Sequence, residues 1–228
     1  MENNFRNVHC LSCSNTNNRL LGNLNESDFI HIDRQKKCSF YRKKQALFVE
    51  GTYPRGVYCI NEGKVKIYKV GEEGKEQIIQ IASAGDLVGF RAMLAEDVYK
   101  VSAVTLEDCN ICFIPKEDFN LILDTNSILR KGILKEISKE LANQVEFITN
   151  MAQKSVRQRL CVVLIILKEI YQEEPINLPR EDLANYVGTA TETLIRLLKE
   201  LKDEGIIETE TRKIFINDAK KLVRASQV

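Results

Sequence analysis

The spacing of apolar residues changes along this chain, and each change marks a different kind of element. From Leu47 to Pro115 the apolar residues come in short runs broken by glycine. Phe48-Val49 precedes Gly51, Val57–Ile60 precedes Gly63, and Val65, Ile67 and Ile78–Ile81 flank a turn at Gly71–Gly74 that Gly85 closes. Val101–Leu106 and Ile111–Ile114 follow. Regular short strands with glycine turns predict an antiparallel barrel or sandwich.

From about Ser127 to Ala152 the period lengthens. Leu134, Ile137, Leu141, Gln144, Ile148 and Met151 are separated by three, four, three, four and three residues, the a/d repeat of a helix that pairs with a copy of itself. Polar flanks (Lys135, Glu136, Lys139, Glu140) fit an exposed helix. Gln144, the polar position in the repeat, would fix register at some cost in stability. The competing reading is an amphipathic helix packed on its own domain.

An apolar helix over Cys161–Ile170 predicts a second core, with Cys161 a small buried hydrophobe. Leu178–Lys202 then reads as two helices. Leu183, Tyr186 and Val187 share one face of the first, and Leu194, Leu197, Leu198 and Leu201 share one face of the second. Gly188 falls at the turn, and Thr189 and Thr191 offer N-cap hydroxyls. The other face of the second helix carries Thr191, Glu192, Ile195, Arg196 and Lys199. That chemistry suits the DNA major groove, where arginine can grip a guanine edge bidentately and glutamate can accept from cytosine N4. An ordinary helical hairpin with a solvated charged face is the alternative. Gly205, Ile206-Ile207, a charged turn at Glu208–Lys213 and Ile214–Ile216 predict a hairpin beside it.

Composition narrows the picture. The 228 residues are enough for two small domains, and 44% hydrophobic with 29% charged residues is a globular balance. Without a long apolar run or signal-like start, the chain is expected to be cytoplasmic, away from any membrane. Its seven cysteines are then expected as thiols or metal ligands rather than disulfides. The formal net charge is +1, and Lys154–Lys202 holds eight Lys or Arg against seven Asp or Glu, so any DNA contact must come from a local array of cations. Two histidines and no nucleophile elbow or phosphate loop leave little support for an enzyme.

Cys10 and Cys13 form one CxxC pair, and Cys109 and Cys112 a second. They are far apart in sequence, so a shared metal requires the fold to bring them together. Residues three apart on one regular strand point to opposite faces, so Cys109 could join Cys112 only from a turn after Glu107-Asp108. Cys38 and Cys59 read as structural.

The segment RxDLANYVGxxxETLxRLLKxLKxxGII, with AGDLVGF at Ala84–Phe90 and CFIP at Cys112–Pro115, resembles the Crp/Fnr family of bacterial transcription regulators over nearly the whole chain. The resemblance implies an α+β fold: an N-terminal antiparallel β-roll (double-stranded β-helix-like; residues 1–120), a long dimerisation helix (121–153) and a C-terminal winged helix-turn-helix (154–228). It implies a homodimer acting on a near-palindromic operator, with RNA polymerase as a further partner. Glu192 and Arg196 are the expected base readers, with Ile195 able to meet a thymine methyl. Arg180, Thr189, Thr193 and Lys199 are the expected phosphate contacts. Ala190 departs from the family's frequent hydroxyl cap.

The oxygen-sensing branch of the family holds a [4Fe–4S] cluster. By resemblance Cys10, Cys13 and Cys112 match three ligand positions, with Cys109 expected to fill the vacancy left by a missing N-terminal cysteine. A zinc or thiol-redox site, or remnants that hold no metal, are the competing readings. Cyclic AMP is not expected as effector. The phosphate-binding arginine of relatives is absent from Tyr99-Lys100-Val101-Ser102, and Arg91 lies elsewhere in the loop. Outside sensing, a cluster-free dimer or a protein-interaction module remains open.

Overall fold

The computed structural model describes His9, Cys10, Cys13 and residues 20–227. By contact density the chain divides into two compact units, one running to Lys69 and resuming at Gln80–Leu141, the other comprising Val70–Ile79 and Ala142–Val228.

The first unit opens with a 3-10 turn, Leu21–Asn23, and helix α1, Glu26–Gln35. The Asn25 side chain caps α1 by accepting from the Asp28 N–H at 2.8 Å. Eight strands follow, interrupted by one short helix: β1 Lys37–Tyr41, β2 Ala46–Phe48, β3 Gly56–Glu62, β4 Val65–Val70, β5 Glu76–Ala82, β6 Leu87–Val88, α2 Phe90–Leu94, β7 Ser102–Thr105 and β8 Cys109–Pro115. They form two four-stranded sheets, ordered β1-β8-β3-β6 and β2-β7-β4-β5. Ile60, Val65, Ile67, Val88, Ala103 and Ile111 fill the core that both sheets share.

The opposite face of the first sheet is also buried. Val57, Leu87 and Ile114 meet Phe29 and Ile32 of α1, Phe119 and Ile122 of α3 (Lys116–Thr125), and Leu129 and Ile133 of α4 (Ser127–Gln153). A sheet covered on both faces assigns alternate residues of each strand to different cores, and this separation decides the fate of the cysteines below. Gly63, between β3 and β4, has φ +97°, and a Cβ there would lie 2.4 Å from Cys109 Sγ, so the turn accepts only glycine.

The second unit contains α5 Val156–Tyr171, β9 Ile176–Asn177, α6 Arg180–Val187, α7 Thr191–Asp203, β10 Ile207–Glu210, β11 Lys213–Ile216 and α8 Ala219–Ala225. Ser155 and Gln158 make a reciprocal capping box at the start of α5. Leu160, Cys161, Leu164 and Leu167 are fully buried along it. The strands pair in the order β10-β11-β9, so the expected hairpin is extended by a strand preceding α6. A β-roll, a long helix and a winged helix-turn-helix give the expected α+β class. Among the described residues no helix is long and apolar enough to cross a membrane.

Candidate nucleic-acid interface and cysteine pocket

Helix α7 sorts its residues sharply. Leu194, Leu197, Leu198 and Leu201 are buried, while Glu192, Ile195, Arg196 and Lys199 are exposed on the opposite side. Burying four leucines fixes the rotation of the helix, so the polar row is presented whether or not a partner is present. Thr191 is not the N-cap that its hydroxyl suggested. The cap position is Ala190, in extended backbone and without a side-chain hydrogen bond, which places Thr191 in the first turn. The first turn therefore has no side-chain cap from that position, and helix N–H groups of this kind are suited to phosphate oxygens. Arg196 pairs with Glu200 one turn on; Glu200 also faces Arg157 at 3.6 Å, and Arg157 donates to Glu204 at 2.7 Å.

Two arginines hold this surface in place. Arg159, missed in the sequence, donates from Nε to Val187 O at 3.0 Å, from Nη2 to Gly188 O at 3.2 Å and from Nη1 to Lys154 O at 3.1 Å. It thus binds the carbonyls left open at the end of α6. Only its position one turn into an apolar helix hinted at such a role. Arg180, expected on phosphates, donates within the chain to Thr211 O and Arg212 O, both at 3.3 Å. It fastens the start of α6 to the β10–β11 turn.

Gly188 ends α6 with φ +73°, and a Cβ there would meet Met151 Cε at 2.4 Å. Gly188→Ala is expected to cost about 1–2 kcal/mol from the left-handed backbone alone. Thermal melting of the two proteins checks it, and an unchanged melting temperature would contradict the strained turn.

On α4, Leu134, Ile137, Leu141, Val145 and Ile148 are exposed, whereas Leu129 and Ile133 are buried. Four of the six expected stripe positions, Leu134, Ile137, Leu141 and Ile148, are exposed in the protomer, and the other two differ. Gln144 is half-buried, and Val145 stands exposed beside it. Met151 is half-buried and lies against Gly188. Both shifts follow from the 3.6-residue turn of a straight helix, which drifts away from a strict 3.5 repeat.

The cysteines are arranged differently from expectation. Cys109 and Cys112 lie on the same strand and point to opposite faces. Cys109 is buried in the core shared by the sheets, its Sγ donating to Glu107 O at 3.2 Å and Lys64 O at 3.5 Å. Burial pushes its thiol up to about 11. Cys109 is therefore not a companion of Cys112. Instead Cys10, Cys13, Cys59 and Cys112 line one pocket on the outer face of the sheet, with Lys36, Asn61 and the apolar Phe29, Ile32, Leu87 and Ile114. Cys59 was read as structural; strand alternation puts it here, because Cys59 is the register partner of Cys112 across β3 and β8.

The pocket encloses a cavity of about 40 Å³. Leu11, Ser12 and residues 14–19 of the same N-terminal stretch lie outside the described residues. Cys10 is held by Asp33, which accepts from its N–H at 2.8 Å, and by Lys36 Nζ, 3.0 Å from its Sγ. Burial works against the charge of Asp33, but hydrogen bonds from Lys36, His9 and the Cys10 N–H hold its carboxyl well below the usual range. Cys13 Sγ donates to Asn61 Oδ1 at 3.2 Å. Burial, with Cys13 and Cys10 nearby, pushes the Cys59 thiol up to about 12.

Contrary to the expectation that disulfides would be absent, Cys112 is bonded to Cys38. The two are directly opposite in the β1–β8 register, with Cα atoms 3.9 Å apart. Four sulfurs around one cavity suit a thiolate-loving metal in kind. Among the described residues, however, no group of three or more His, Cys, Asp or Glu is arranged to hold a metal ion as it stands.

Ser102 is buried and accepts from the Glu50 N–H at 3.0 Å. Lys100 pairs with Asp97 at 2.8 Å, and Arg91 Nε lies 3.4 Å from Glu140.

Comparison with known proteins agrees with this architecture. Residues 39–126 match the cyclic nucleotide-binding domain family, and residues 158–225 match the Crp-like helix-turn-helix domain. The chain is 30% identical to the anaerobic regulatory protein of Pasteurella multocida, over 96% of this chain and 83% of that protein. It is 29% identical to the fumarate and nitrate reduction regulatory protein of Escherichia coli, over 93% and 88% of the two chains. Among solved structures, FixK2 from Bradyrhizobium japonicum superposes with a TM-score of 0.76 at 18% identity, covering 85% of this chain and 98% of that one. With the leucine-anchored helix α7 and its wing in the matched helix-turn-helix region and relatives at 30% identity over nearly the whole chain, the chain belongs to the Crp/Fnr family and is a DNA-binding transcription regulator, not an enzyme.

Proposed function

We propose that the protein acts as a homodimer, joined along the exposed stripe of α4, that lays α7 of each protomer into the major groove of one half of a near-palindromic operator. The observation that carries this reading is the exposed row Glu192, Ile195, Arg196 and Lys199 over a fully buried leucine face. Glu192 and Arg196 read base edges; Thr189, Thr193 and Lys199 position the helix on phosphates. RNA polymerase is the partner through which binding alters transcription. The signal is oxygen, sensed by an iron–sulfur cluster on thiolates that include Cys10, Cys13 and Cys112. The supports for that finer reading are relatives named anaerobic regulatory proteins and a sulfur-lined pocket in the β-roll unit.

The DNA reading is tested by substitution. Arg196→Ala is expected to cost about 1–3 kcal/mol and to relax preference at one base pair per half-site. Lys199→Ala should weaken binding to all sequences alike and flatten the salt dependence by about one unit. Binding measured on a panel of operator variants checks both. Unchanged base preference after loss of Arg196 would remove it from the base-reading role.

A further inference from the structure

We infer that Gln77 is a positioning residue for DNA binding: its side-chain amide holds the turn that aims α7. The inference rests on α7 as the reading helix and adds a residue from outside the winged helix-turn-helix.

An α-helix leaves its last four carbonyls without partners of its own. In α6 these belong to Ala184, Asn185, Tyr186 and Val187, all of them buried residues. Ala184 O accepts from the N–H groups of Gly188 and Thr189 at 2.9 and 3.1 Å, which closes the turn. Val187 O is taken by Arg159. The remaining two go to one side chain: Gln77 Nε2 donates to Asn185 O at 2.8 Å and to Tyr186 O at 3.3 Å. The same nitrogen lies 3.0 Å from Ile78 O, which ties the amide to its own strand. On the other side of the amide, a Cβ at Gly188 would stand 3.2 Å from Gln77 Oε1.

Helix α7 starts at Thr191, directly after this turn, so the conformation of Gly188, Thr189 and Ala190 sets its direction. Gln77 stands in β5, within the segment Val70–Ile79 that belongs to the same compact unit as α6 and α7. Residues distant in sequence thus complete the reading unit, and from Gln80 their strand continues into the other unit. A buried carbonyl stripped of its donor costs free energy with or without DNA present. Without Gln77 the turn loses the partner of two such carbonyls, and the aim of α7 loosens.

The test compares the full chain as wild type, Gln77→Leu, Gln77→Glu and Arg196→Ala. Leucine fills similar space without a donor, and glutamate keeps the shape but turns an acceptor toward two carbonyl oxygens. Affinity for operator, operator variants and random DNA is measured, with melting and amide hydrogen exchange at Gly188 and Thr189. A neutral hydrogen bond corresponds to about two- to tenfold, so Gln77→Leu is expected to weaken operator binding by that factor and Gln77→Glu by more. Exchange at Gly188 and Thr189 should quicken, because the turn opens locally. The rank order of bases and, for Gln77→Leu, the salt slope should persist, since no base or phosphate contact is removed. Gln77→Leu decides alone if glutamate prevents folding. Unchanged operator affinity in the folded Gln77 variants overturns the role of Gln77 and leaves the reading by α7 standing. An affinity loss without faster exchange at the turn overturns it too, because the effect then arises elsewhere in the fold. Unaltered base preference in Arg196→Ala overturns the base-reading role of Arg196, whatever the Gln77 variants do.

Discussion

Leu141→Glu is expected to leave a folded monomer that no longer holds a two-half-site operator. Leu141 is 66% exposed in the protomer, so the substitution leaves the β-roll core untouched. Between paired copies of α4 it would bring two carboxylates together in a dry seam. An uncompensated buried charge costs about 3–5 kcal/mol, more than about a hundredfold in self-association. Operator affinity falls with it, because one protomer supplies only half of the contacts. Sedimentation measures the mass and gel retardation the binding. A dimer of unchanged mass would move the interface away from the stripe of Leu134, Ile137, Leu141, Val145 and Ile148.

The second large effect is expected from Arg159→Ala. Its guanidinium joins three backbone carbonyls, at Lys154, Val187 and Gly188, so the loss reaches the end of α6 and the turn into α7 together. A hydrogen bond to a charged group contributes about 1.5–3 kcal/mol, and a combined loss of about 3 kcal/mol allows for the three not adding. The melting temperature should fall, and operator affinity should fall further than for a core substitution of equal cost, because α7 is set by that turn. Arg159→Lys should recover little, since one ammonium cannot reproduce the planar fork. If Arg159→Ala lowered stability but left operator affinity intact in the folded protein, the arginine would be a support of the core alone.

The β-roll strands and the helix-turn-helix were legible because their apolar residues recur with a period the backbone imposes. Helix α1 and strand β1 were not. Helix α1 fully buries only Phe29 and Ile32, too few apolar positions to show a helical period. Strand β1 is five residues long and carries Cys38. The exposed polar row of α7 was readable since Leu194, Leu197, Leu198 and Leu201 fix a single rotation. The sulfur-lined pocket was not, because sequence spacing paired Cys109 with Cys112 in a CxxC, whereas strand alternation puts Cys59, fifty-three positions before Cys112, beside it in the sheet. Arg159 and Arg180 act through backbone carbonyls, partners that carry no sequence signature.

The pairing of Arg196 with Glu200 has a consequence for how operators are told apart. Off DNA the guanidinium already has an acceptor on its own helix, worth about 0.3–0.5 kcal/mol for an exposed pair at this spacing. If Arg196 reads bases as proposed, leaving Glu200 would be favourable only where a base edge offers two acceptors in the right plane, and opposite a thymine or cytosine the arginine would keep its place on the helix. Wrong sequences thus compete against a carboxylate rather than against water. With Arg196 in the proposed base-reading role, Glu200 would act as an internal decoy: it would lower the hold on random DNA by engaging a cation that phosphates would otherwise attract, and so widen the gap between operator and genome.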